Sequence, residues 1–254
     1  MRIGILKTDS VREEFQSEFG DYPAMFRAML LASADDVVIE FHDYDVQQGE
    51  YPASLDECDG YLITGSRESV YDDQPWIHRL AEFVRQLDAE RHKLVGICFG
   101  HQLIAHVLGG ETRAADVGWA VGVQETRVVS STQWMLPYRE RFGLLSSHKD
   151  QVVRLPERAE VFASTALCPY SGFTIGDHIL TFQGHPEFSK GYSRALMDLR
   201  RELLGEPRYS TGVESLGAPV HQTLVGRWII NFVSAFTANS TEASMGDTNH
   251  SVSR

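Results

Sequence analysis

Three observations predict an α/β fold: a single-domain three-layer sandwich with a mainly parallel central sheet and antiparallel strand additions. Short apolar strands alternate with amphipathic helices over the first hundred residues. A glycine-flanked turn joins a strand to a helix at residues 96–102. After Gly110 short strands follow one another, separated by turn residues rather than helices.

Each element has its own warrant. Ile3, Ile5 and Leu6 make residues 2–6 a strand. Residues 22–34 read as a helix, with Ala24, Met25, Ala28, Met29 and Leu31 near one face. The β-branched run Val37, Val38, Ile39 opens a second strand over 37–42, and Tyr61, Leu62 and Ile63 carry a third over 60–64. Pro75 suits the first turn of a helix over 75–91, where Trp76, Leu80, Phe83, Val84 and Leu87 recur at helical spacing. Asp73 ahead of it reads as the cap. Residues 94–97 form a fourth strand, and the apolar run 103–108 is a helix stopped by Gly109 and Gly110. Such alternation implies parallel pairing, with ligands at the carboxyl ends of the strands.

Residues 121–130, 152–155, 160–164, 172–175 and 178–183 then read as the antiparallel additions. The crowded Trp134, Met135, Leu136 and Tyr138 predict a short helix within 130–141, covering the sheet edge. Residues 189–204 are amphipathic and helical, and 205–219 reads as a linker or loop. Leu224, Trp228, Ile229, Phe232 and Val233 stripe a helix over 220–237. The expected organisation is a domain over 1–205, a linker and packed helix over 206–238, and a flexible Ser/Thr/Asn-rich tail over 239–254.

The chemistry concentrates in Gly96-Ile97-Cys98-Phe99-Gly100-His101-Gln102. A Gly-x-Cys-x-Gly between strand and helix is the cysteine form of a nucleophile elbow, its glycines permitting a tight turn. The N–H groups and positive dipole end of the following helix favour a thiolate at Cys98. The N–H of Phe99 can face a developing oxyanion. Cys58 and Cys168 lack this setting and read as structural.

A nucleophilic thiol needs a base, and the base an orienter. Both occur in Gly184-His185-Pro186-Glu187-Phe188, after a predicted strand. Pro186 biases His185 toward extended backbone, so His185 and Glu187 leave the chain on one side. That predicts a triad of Cys98, His185 and Glu187. Of the ten histidines, only His148 competes, in Ser146-Ser147-His148-Lys149-Asp150. No His or Cys spacing of a zinc site occurs, so no metal is expected.

These motifs together resemble the class I glutamine amidotransferases of the triad type, most closely stand-alone members similar to the glutamine-hydrolysing domain of GMP synthetase. The resemblance rests on Tyr61-Leu62-Ile63-Thr64-Gly65-Ser66, the elbow, Gly118-Trp119-Ala120-Val121-Gly122-Val123, Ser147-His148-Lys149-Asp150 and Gln183-Gly184-His185-Pro186-Glu187-Phe188. It implies a flavodoxin-like sandwich and hydrolysis of the L-glutamine γ-amide through a Cys98 thioester, giving glutamate and ammonia. It implies oxyanion donors near Gly65 and at Phe99, and substrate contacts from Ser66, Gln102, Ser147 and His148. A synthetase or acceptor partner protein would use the ammonia. The family also includes stand-alone γ-glutamyl hydrolases and peptidases with the same triad, and room beyond the scissile amide would distinguish them. A non-catalytic binding module is the third reading, opposed by the intact Cys98, His185 and Glu187.

Composition bounds the alternatives. The net charge of −12 disfavours nucleic acid and anionic membrane as partners. No apolar run is long enough for a transmembrane helix, and residues 1–9 lack a signal core. Three cysteines fit a reducing, cytoplasmic setting. Neither a Gly-x4-Gly-Lys-Ser/Thr loop nor a Gly-x-Gly-x-x-Gly turn is present, so no cofactor is expected.

Overall fold

Apolar residues on both faces of the early strands require helices on both sides, and the chain supplies them in turn. A computed structural model describes residues 1–245, with side chains to residue 235. β1 (Arg2–Lys7) is followed by α1 (Glu13–Phe19), α2 (Tyr22–Leu31), β2 (Glu40–Asp45) and β3 (Gly60–Ile63). Next come α3 (Pro75–Ala89), β4 (Leu94–Ile97) and α4 (Phe99–Val107). Strands β5 (Glu111–Ala114), β6 (Ala120–Val128), β7 (Arg141–His148), β8 (Asp150–Arg154), β9 (Ala159–Thr165), β10 (Gly172–Ile175) and β11 (Ile179–Phe182) follow without a helix between them. The chain finishes with α5 (Lys190–Leu199), α6 (Arg201–Leu204), α7 (Glu206–Ser215) and α8 (Gln222–Met245).

The main sheet has the order β2-β1-β3-β4-β11-β10-β9-β6-β7. Its first half, β2 through β11, is parallel. Pairings from β11 onward are antiparallel. One layer packs Phe26 and Leu30 of α2 and Val225, Trp228 and Phe232 of α8 on Ile5, Leu62 and Val95. The opposite layer packs Leu80 and Val84 of α3 and Phe99 and Ile104 of α4 on Leu6, Ile63 and Leu94. This is the expected three-layer α/β sandwich with antiparallel additions. Among the described residues no helix is long and apolar enough to cross a membrane.

Register puts Ile63 beside Gly96 and Ile97 beside Phe182. The carboxyl ends of β3, β4 and β11 therefore lie side by side. The chain just beyond them carries Gly65, Cys98 and His185.

Several elements differ from the sequence expectation. β2 begins three residues late, because pairing with β1 starts at Glu40 and Val38 lies outside it, 78% exposed. Residues 130–141 form no helix. They make turns around Pro137, and α8 satisfies their carbonyls: Trp228 Nε1 donates to Pro137 O, and Asn231 Nδ2 to Trp134 O and Leu136 O. Met135 is nevertheless buried in the core. β7, unpredicted, pairs along β6, and α1 seats Phe19 against Tyr192. The stretch read as a linker contains α7, whose Gly212 crosses Val121 so closely that a Cβ would lie 2.7 Å from its methyl. The expected tail, 239–254, falls on the end of α8 and on residues outside those described.

Candidate active site

β4 ends at Ile97 and α4 begins at Phe99, so Cys98 alone makes the turn, with φ +51° and ψ −97°. A non-glycine residue there is strained, and such strain is held by the structure on either side. The Cys98 N–H donates to Phe182 O at 2.8 Å, and its carbonyl accepts from Gln102 N at 3.0 Å. The flanking glycines serve close approach rather than unusual dihedrals. A Cβ on Gly96 would lie 2.7 Å from the Gly100 backbone, and one on Gly100 2.7 Å from Ile63 O.

His185 is placed by β7: its N–H donates to Leu145 O at 2.8 Å. Its ring stacks on Phe188 with centroids 3.8 Å apart. Nδ1 faces Glu187 Oε1 at 2.8 Å, with both side chains buried. Burial opposes the imidazolium. The charges of Glu187 and Cys98, and hydrogen bonds to both, outweigh it and raise the His185 pKa to about 10. Gln222 of α8 donates to Pro186 O and Phe188 O, clamping the segment that carries the pair.

Gly65 abuts both groups. A Cβ there would lie 2.9 Å from His185 Cε1 and 3.6 Å from Cys98 Cβ. Thr8 Oγ1 donates to Gly65 O at 2.8 Å, and Arg67 grips Asp9 through Nε and a terminal nitrogen, each at 2.8 Å. The loop after β3 is thus tied to the end of β1. Phe99 is the first residue of α4, where an N–H has no intrahelical acceptor.

The remaining expected residues divide between the cleft and its walls. Ser66 and Ser147 line the cleft beside Cys98. Gln102 is buried, its Nε2 donating to Asp150 O at 2.7 Å and Gln183 Oε1 at 3.1 Å, so it braces the wall. His148 Nδ1 lies 3.0 Å from Asp150 O, and burial lowers its pKa to about 4. Without a carboxylate orienter, His148 is a neutral wall residue rather than a rival base. Asp73 caps nothing and is exposed, whereas Asp72 accepts from Ser69 N.

Cys98 stands where two spaces meet. One is a small pocket of about 120 Å³ reaching Gln102, His148, Lys149, Asp150 and Glu68. The other is an open cleft of about 720 Å³ reaching Tyr192, Leu199, Leu203 and Arg12, and Arg200 lines both. Sequence reasoning missed Asp9, Arg12 and Arg200. Asp9 could have been suspected from its place after a parallel strand; the arginines carry no local signal.

Residues 25–198 match the family model for glutamine amidotransferase class-I. The chain belongs to that family. Among the relatives, gamma-glutamyl peptidase 3 of Arabidopsis thaliana is 35% identical over 155 residues, covering 58% of this chain and 62% of that protein. The chain therefore aligns with somewhat less than two thirds of that relative's length. GMP synthase [glutamine-hydrolyzing] of Aeropyrum pernix is 31% identical over 156 residues, 61% of this chain and 29% of that one. The crystal structure of a glutamine amidotransferase from Thermotoga maritima superposes with a TM-score of 0.68 at 17% identity, over 92% of this chain and 96% of that one. At that identity the likeness speaks to fold alone.

Proposed function

We propose that this amidotransferase-family chain hydrolyses γ-glutamyl amides or peptides larger than glutamine, with Cys98 as nucleophile, His185 as acid–base and Glu187 as its orienter. The observation that carries this reading is the pair of spaces meeting at Cys98. A pocket of about 120 Å³ with cationic Lys149 and anionic Glu68 and Asp150 suits a zwitterionic glutamyl group. The cleft of about 720 Å³ on the other side leaves room for a leaving group, within the range of about 300–1,000 Å³ typical of small-molecule sites. The similarity to a gamma-glutamyl peptidase supports the same choice over ammonia delivery.

In this mechanism Cys98 Sγ attacks the γ-carbonyl carbon, and the N–H groups of Phe99 and Gly65 receive the oxyanion. His185 gives its proton to the departing amine as the C–N bond breaks, leaving a glutamyl thioester. Water, losing a proton to His185, attacks the thioester and releases glutamate and the Cys98 thiolate. A raised His185 pKa suits the first step, because the imidazolium is the donor the amine requires.

The test is glutamate release from a γ-glutamyl dipeptide beside L-glutamine, using the wild type and Cys98→Ala. The expected result is a higher kcat/KM on the dipeptide, lost in Cys98→Ala. Release of ammonia from glutamine with the dipeptide untouched would return the reading to a glutaminase supplying an acceptor. Activity surviving Cys98→Ala would overturn the mechanism itself.

A further inference from the structure

Arg200 caps the end of α5 and lines the open cleft beside Cys98. Its guanidinium is half-buried and already held in place, donating to Ser147 Oγ at 2.7 Å and lying 5.2 Å over the Trp119 ring. The neighbouring cations differ. Arg67 is committed to Asp9 through a two-pronged contact, and Lys149 lies on the small pocket. Among the described residues Arg200 makes no ion pair, and no carboxylate figures among the charges acting on it. A half-buried cation beside Cys98 and without a carboxylate ion pair among the described residues is suited to an anionic group of the substrate.

The cleft around it says which anion. Arg12 lines the same space, and among the described residues its one ion pair is an exposed 3.7 Å contact to Glu14. Leu199 and Leu203 border it, 41% and 66% exposed, and offer apolar surface to a group in the cleft. Arg12, Leu199 and Leu203 line the open cleft and not the glutamyl-sized pocket, while Arg200 lines both and so stands where they meet, beside the scissile amide.

Resting on the γ-glutamyl hydrolase reading, we infer that Arg200 reads a carboxylate on the leaving group, so that the substrates are γ-glutamyl amino acids or peptides with an apolar side chain and a free carboxylate near the scissile amide. Arg200 is then a specificity residue. Its planar fork accepts the carboxylate while Leu199 and Leu203 cover the side chain.

The experiment compares kcat/KM for γ-glutamyl-phenylalanine and γ-glutamyl-phenethylamide, which share the leaving group except for its carboxylate. Wild type, Arg200→Met and Arg200→Lys are measured. The wild type should favour the acid by about tenfold or more, the worth of one charged hydrogen bond. That ratio should fall to about one in Arg200→Met and stay intermediate in Arg200→Lys. A wild-type ratio near one overturns the inference, whatever becomes of the variants. So does a ratio kept in Arg200→Met while both rates fall together, because Arg200 would then serve the glutamyl half or the fold. Hydrolysis of both compounds without preference spares the parent reading, whereas glutamine turnover with both compounds inert overturns parent and inference alike.

Discussion

At the residue scale, two buried side chains carry the proposed chemistry. The Nδ1 contact to Glu187 fixes the His185 ring and its tautomer. Glu187→Gln keeps the shape but offers a donor where an acceptor is needed, and is expected to lower kcat by about 10³–10⁴-fold. Steady-state kinetics on a γ-glutamyl peptide checks this; a loss under tenfold would remove Glu187 from the triad. Removing the same charge should also move the alkaline limb of the pH–rate profile downward, since Glu187 helps raise the His185 pKa. Linkage adds a stability effect. The folded His185 pKa lies above its unfolded value of about 6.5. The stabilisation is therefore complete below that value and is lost as pH rises through about 10. Urea unfolding of wild type should weaken over this window, and that of Glu187→Gln should weaken less.

At the element scale, the strand–turn–helix around Cys98 balances strain against close packing. Replacing Cys98 with glycine relieves the +51° dihedral. Cys98→Gly should thus be more stable than Cys98→Ala by about 1 kcal/mol. Denaturant midpoints of the two variants measure that gap, and equal midpoints would show that the turn holds no strain. Gly100→Ala drives a methyl to 2.7 Å from Ile63 O, where backbone cannot yield cheaply. The expected loss is about 1–3 kcal/mol, read from the same experiment. The Gly-x-Cys-x-Gly pattern was legible because a tight strand–helix junction permits few residues. Its physical reason was not: the unusual dihedral lies on the cysteine, and the glycines make room between neighbouring elements.

At the scale of the whole molecule, α8 connects the far end of the chain to the site. Trp228 is fully buried, and Gln222 holds the carbonyls on either side of Glu187. Trp228→Ala should cost about 3–5 kcal/mol, seen as a fall in Tm. Gln222→Ala leaves two carbonyls without their donor, and a reduction in kcat/KM of about tenfold is expected. If Gln222→Ala lowers Tm but leaves kcat/KM untouched, the clamp supports the fold without tuning the site.

The amino-acid sequence alone determined the α/β class, the parallel half of the sheet and the candidate trio of Cys98, His185 and Glu187. Each depends on short-range pattern: apolar periodicity, glycine-flanked turns, and two side chains one residue apart on extended backbone. Tertiary structure decided the rest. Residues 130–141 gave up helix for turns because Trp228 and Asn231 supply their donors. The expected linker became α7 because Gly212 fits against Val121. Arg12 and Arg200 reach the Cys98 cleft only once α1 and α5 are packed beside it. Contacts between residues tens or hundreds apart are set by the register of β3, β4 and β11, and no local stretch of sequence encodes that register.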